Sequence, residues 1–250
     1  MKSTSILLFL TLFLIGHAGH AQTFQVFKGD TINRIDKKGL QQGEWRKYYS
    51  TDTLFSRSTF KDGKRIGDFT TYSPKGKLQT RLVYRGNSGV SDAALYNEEG
   101  AVIGKGKYIG QAKDSSWNYY DEQGALTATE HYINGKKDGV CLDYYPGGTI
   151  ARSTSYKSGL RSGPYLEYFE TGKLKVEGKM ENDVYEGSLK IYFKDGKLWQ
   201  HGKYVKGLRE GKWITYTETG AVEYEEDYKS GKSLNPPLEP DTPIQTDTEK

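Results

Sequence analysis

The chain has 250 residues, 35% of them hydrophobic, with 20 Tyr, 30 Gly, one Cys and a formal charge of +4. One cysteine excludes an intrachain disulfide, and so mild a basic excess excludes the strongly charged surface that marks nucleic-acid binding. The low apolar fraction, much of it tyrosine, suits a sheet of half-covered rings better than a deep aliphatic core.

Residues 1–21 read as an export signal. Lys2 supplies the positive start, residues 6–15 the apolar run, and Gly19-His20-Ala21 a small-residue cleavage site before Gln22. The run is short for a membrane span, and no Cys follows the cleavage site to carry a lipid. The expectation is an exported chain, periplasmic or secreted, with outer-membrane association left open and no transmembrane segment in its mature part. An uncleaved anchor is the alternative. Residues 22–42 read as an N-terminal cap: Phe24, Val26 and Phe27, a strand-like stretch over 31–36, then a turn at Lys37-Lys38-Gly39.

Residues 43–234 repeat. Tyr48, Tyr72, Tyr96, Tyr120, Tyr144, Tyr168, Tyr192 and Tyr216 follow one another at intervals of 24 residues, without insertion or deletion. Counting the residue five before each tyrosine as position zero, that position holds Gly43, Gly67, Ser91, Ser115, Gly139, Gly163, Gly187 and Gly211. Offset nine is glycine in every unit except at Asp52, and offset seventeen is a ring except at Met180. Turn glycines about every twelve residues leave runs of six to nine, too short for ordinary helices and right for strands. Rings and β-branched residues fill those runs.

Each unit therefore reads as a β-hairpin, with strands over offsets one to six and ten to seventeen and glycine turns between. The fold class is all-β: an elongated single antiparallel sheet of eight stacked hairpins, on the order of 75 Å long at ~4.8 Å per strand. The tyrosine column is the expected structural ladder, and units must fold cooperatively because none can bury a core alone. Gly106, Gly178 and Gly202, each eleven residues before Trp117, Leu189 and Trp213, predict bulky side chains laid over cross-strand glycines. The third unit departs most, with Ser91, Ala93 and displaced turn glycines at Gly86 and Gly110. It reads either as drift or as a hinge or ligand notch. Residues 235–250 hold four of the seven prolines, four acids and one lysine. They read as a disordered Pro-rich acidic tail. With Lys2 in the leader, residues 22–234 net about +6.

The pattern Gly-Lys-Trp-x-x-Tyr-x-x-x-Gly-x-Val-x5-Tyr-x-x-Gly at residues 211–231 resembles the variant form of the MORN repeat. The resemblance covers about residues 41–232. It implies a bacterial secreted or envelope protein of a kind often labelled antitoxin-like, an elongated antiparallel sheet, and a scaffolding role toward proteins or membranes.

Chemistry is sparse. Outside the leader only His131 and His201 remain, and no metal-ligand cluster, nucleophile triad or phosphate loop emerges, so no cofactor, metal or catalytic residue is assigned. Cys141 stands at offset two, where other units place rings, leucine or, in the third, Ala93, and reads as a buried hydrophobe or a reactive thiol. Basic residues gather near the second turn. Lys64, Arg65, Arg85, Lys113, Lys136, Lys137, Arg161 and Arg209 form a candidate binding edge for an acidic partner, anionic headgroups or acidic glycan, or simply a solvated rim. The sequence thus supports a non-enzymatic exported scaffold that binds a protein or an envelope surface. A carbohydrate-binding module with exposed, co-planar rings is the alternative, and an envelope enzyme a remote one.

Overall fold

A computed structural model describes residues 21–86 and 88–234. The leader up to residue 20 and the acidic tail at 235–250 lie outside the described residues. The described part is all β, one antiparallel sheet of 21 strands with no helix. Strands pair in chain order, each hairpin hydrogen-bonded to the next. The two short strands Lys136–Lys137 and Val184–Tyr185 continue, after one residue, into Gly139–Tyr144 and Gly187–Tyr192. The stacked-hairpin sheet expected from the repeat is what the chain forms.

Two kinds of turn alternate. In the first, Ser73 N–H donates to Lys77 O and Gly76 N–H to Ser73 O, both at 2.8 Å. Gly76 takes φ 78°, which closes a type I turn with a left-handed residue. The same bond pair recurs in every repeat and in the cap at Gly39. Where glycine is missing, Asp52 adopts φ 61° instead. In the second turn two residues take positive φ, as at Asp62 (51°) and Gly63 (75°). That is a type I′ turn, whose twist matches the strands it joins. At Gly110-Gln111 only the glycine is left-handed, so this is a type II′ turn and its glycine has to stand one place earlier.

The first strand of a unit starts about four residues sooner than the sequence predicts, as in Lys64–Tyr72 and Leu208–Tyr216. Position zero consequently falls inside a strand. Thr59 pairs with Ile66 but Ser58 pairs with Phe69, so Gly67-Asp68 bulge out of the ladder, with Gly67 at φ 62°. Equivalent two-residue shifts occur against the strands Ala112–Tyr120, Leu160–Tyr168 and Leu208–Tyr216. In the third unit the pairing from Tyr84–Ser91 to Thr80–Leu95 is regular, and Arg85 N–H reaches Val90 O at 3.1 Å across a longer turn. The two extra residues have moved from bulge to turn. That keeps the period at 24, and Ser91 needs no left-handed backbone. The sheet passes through this unit unbroken.

The buried column is at offset two rather than at the tyrosines. Ala93, Trp117, Cys141, Tyr165, Leu189 and Trp213 are all buried, Trp117 completely. The offset-five tyrosines are half-buried and, three residues further along a strand, face the other way. Tyr216 stacks there on His201 at 5.8 Å, Tyr192 donates to Glu177 at 3.0 Å, and Tyr48 stacks on Phe27 at 4.3 Å.

Bulky residues do lie over small ones between strands. The indoles of Trp117 and Trp213 lie over Gly106 and Gly202, so close that an added Cβ would come 2.2 Å from the ring. A Cβ at Gly178 would come 2.8 Å from Leu189 Cδ1. Glycine here gives room, not a special φ. We therefore expect Gly202→Ala to destabilise the chain by about 1–3 kcal/mol through overpacking. Gly104→Ala, whose Cβ would meet Leu95 at an ordinary 3.4 Å, should cost less. Denaturant unfolding of both variants measures the difference.

Candidate binding surface

The bulge sets which basic residues stand across from a ring. Residues two before position zero pair directly with the offset-seventeen ring, as in Phe60–Arg65, Tyr108–Lys113, Tyr132–Lys137 and Tyr204–Arg209. They share the ring-bearing face. Arg65 lies 5.4 Å from the Phe60 centroid and 4.6 Å from Phe69. Lys113 lies 4.4 Å from Trp117 and Arg209 4.2 Å from Trp213. Lys137 stands 5.2 Å from Tyr156 and 2.5 Å from Glu130. Such cations cover ring faces with their stems while their heads reach outward.

The remaining candidates differ. Arg161 is ion-paired with Asp183 at 3.0 Å, and Arg85 with Asp92 at 2.5 Å. Lys64 and Lys136 are exposed at the turns and carry no ion pair among the described residues. The eight therefore do not form one uniform stripe: four lie across rings, Lys137 among them being ion-paired as well, two more are paired within the sheet, and two are open charges.

The turns do stack along one edge. Gly63 N–H donates to Gln41 O at 3.0 Å, Gly135 to Lys113 O and Gly159 to Lys137 O at 2.8 Å, and Gly231 to Arg209 O at 2.9 Å. Each turn is thus tied to the preceding unit. A carboxylate or amide just before position zero takes a further turn N–H, as Asp138 does from Ser158 at 2.9 Å and Glu210 from Ser230 at 2.7 Å. These acids neutralise part of the edge, a pairing the sequence signals only as an acid twenty residues before a turn.

In the middle of the ring face lies a polar cluster that sequence reasoning missed. Glu130 occupies offset fifteen, where other units place Gly, Ser, Thr or Leu in all but the last. Tyr132 donates to it at 2.5 Å, and Lys137 pairs with it. Burial opposes the charge of Glu130, but its bonds to Lys137 and Tyr132 outweigh that and hold it below the usual carboxylate range. Lys113 donates to the Tyr119 hydroxyl at 2.5 Å, and burial pulls its own ammonium down. Two units further, Tyr165 donates to Glu167. The arrangement is a set of internally satisfied hydrogen bonds. Cys141, nearby, is buried and burial pushes its thiol up, as expected of a packed hydrophobe rather than a nucleophile. Among the described residues no group of His, Cys, Asp and Glu could hold a metal ion, and no helix is long and apolar enough to cross a membrane.

Exposed rings are few and scattered. Among the described residues Phe24, Phe55, Trp199 and Tyr224 are the exposed ones. Phe55 sits edge-on to Tyr49 and Trp199 is tilted against Phe193, so they make no co-planar row.

The model of the MORN repeat variant matches at residues 41–62, 161–182, 185–206 and 209–230. The same hairpin geometry runs through the unmatched residues between them. No curated protein matches the chain. Among solved structures, a Tc holotoxin pore of Photorhabdus luminescens is 14% identical with a TM-score of 0.22, over 81% of this chain and 13% of that one. A crystal structure of TcdB2-TccC3-TEV is 15% identical with a TM-score of 0.22, over 82% of this chain and 13% of that one. This chain spans only that small share of their length, and the likeness is too slight to transfer any property.

The ring-face hydroxyls set an alkaline limit on stability. Burial raises Tyr108, Tyr132, Tyr165 and Tyr185 above the ordinary tyrosine range and pushes Tyr119 up to about 12. A raised value means the folded chain holds these protons more tightly than the unfolded one. Their contribution is complete below the unfolded value near ~10 and lost as pH climbs through the folded values. Tyrosinate absorbance followed with circular dichroism should show late ionisation coupled to loss of the sheet. Full ionisation near pH ~10 with the sheet intact would contradict this.

Proposed function

Since the chain carries repeats of the MORN variant family, we propose that it is an exported, non-enzymatic interaction module that presents a rigid antiparallel sheet to a protein partner at the bacterial envelope. The observation that carries this reading is the stacked edge. Turns locked to neighbouring units by backbone hydrogen bonds hold Lys64 and Lys136 as open charges at fixed spacing along it. A rigid array of this kind costs little conformational entropy on binding. Cations left without an internal partner favour an acidic protein surface, with attraction that falls as salt rises.

Enzymatic work requires a convergent site with unsatisfied or poised groups. The one polar cluster on the ring face spends its donors and acceptors internally, which supports a binding role. The leader at 1–21 supports export. Scattered exposed rings give a sugar no stacking platform, so the protein-binding reading is preferred to the carbohydrate one.

Retention from envelope extract on the immobilised chain tests the proposal. One acidic protein should be held at low salt and released at high salt. Lys64→Ala combined with Lys136→Ala should weaken retention about 3- to 10-fold, the range expected for removing exposed charges. Retention of bulk polysaccharide instead, or a protein whose binding ignores salt and both lysines, would count against it. Fractionation of an expressing cell tests export separately, the chain being expected outside the cytoplasm.

A further inference from the structure

Between the first two repeats the ring face opens into a groove of about 390 Å³. Strand pairing sets its shape. Trp45 and Phe69 pair with Ser58 from opposite sides, so two rings stand about 9.6 Å apart, two strand spacings, over a buried serine. Ser56 extends the floor, and Phe60 closes one end, edge-on to Trp45 at 5.7 Å. In other units that slot is filled. Leu82 occupies it in the next, and Trp117, Leu189 and Trp213 lean over the glycines of theirs. Two cations, Arg65 and Lys47, line the groove, and among the described residues neither has an ion-pair partner and no carboxylate lines it.

We propose that this groove takes residues 237–243 of a second copy of the same chain. A slot between aromatic walls is the kind of site that accepts proline-rich segments, whose rings pack between aromatics at small entropic cost. Residues 237–243 read Pro-Leu-Glu-Pro-Asp-Thr-Pro. Pro237, Pro240 and Pro243 are three apart in sequence, the spacing that would put them on one face if the segment binds as a polyproline helix. Glu239 and Asp241 stand between them, opposite in charge to Arg65 and Lys47.

The copy must be another one. The groove lies more than a dozen strand spacings from the last long strand, Val222–Lys229, about 60 Å along the sheet. The three residues from Leu234 to Pro237 span at most about 10 Å. Exchange of tails between two chains, each seating in the other's groove, gives a closed dimer, and one-way exchange gives a chain of copies. This inference does not rest on export or on an outside partner, and failure of either leaves it standing.

Sedimentation of the full chain over a range of concentrations tests it, with a synthetic peptide of residues 235–250 as competitor. Association should grow with concentration, weaken with salt and be dissolved by excess peptide. Pro240→Ser with Pro243→Ser should weaken it about tenfold, and Arg65→Gln by a similar factor, as loss of a charge-assisted contact implies. Because Arg65 also covers two rings, the exposed Lys47→Gln serves as a second variant, with a smaller loss expected. A chain that stays monomeric at every concentration, or an assembly that survives the proline variants or excess peptide, would overturn the proposal.

Discussion

A single layer of strands has no second layer to bury its side chains against, and the structure depends on how it answers that constraint. It lays a large side chain from one strand across a small residue on its neighbour. Trp117 over Gly106 and Trp213 over Gly202 bury an indole completely or nearly so with no helix or second sheet above it. The bulge at position zero serves this contact. By removing two residues from the ladder, it makes the cation two before it and the ring two after it near neighbours on the face they share, as with Arg209 and Trp213. Ring, glycine and cation then form a packed unit within one layer.

This packing shapes what the surface offers. Most of the basic residues that cluster in sequence near the second turn are absorbed into the layer, either over rings or in pairs with Asp183 and Asp92. What remains outward is a rigid edge with a few open charges. The groove at Trp45 and Phe69 exists because serine, and not leucine or a leaning indole, stands between those two rings. Binding capacity in such a sheet comes from where the packing rule is left incomplete.

The spacing of Tyr48 to Tyr216 sufficed to place every hairpin, because a strict period with glycine turns has few other solutions. The overlay of Trp117, Leu189 and Trp213 on glycine was legible for the same reason, since a missing side chain in a strand asks for a neighbour to cover it. Which face is buried was not legible. Tyrosine is the invariant residue, yet offset two varies from Ala93 to Trp213, and a column that changes size to suit its neighbour hides from a search for identity. The bulge was hidden too, because a glycine within a strand and a glycine in a turn look alike in sequence. The placing of Arg65 and Lys113 beside a ring depends on that bulge, so the candidate edge could be located but not resolved into open and ring-covering cations. Glu130 was passed over among many exposed acids.

The central claim is that stability resides in the variable inner column and not in the repeating tyrosines. Equilibrium unfolding of Trp117→Ala beside Tyr120→Ala, three residues apart on one strand, tests it most directly. Loss of the fully buried indole should cost about 3–5 kcal/mol, and loss of the half-buried tyrosine distinctly less. Equal losses, or a greater one at Tyr120, would contradict the account.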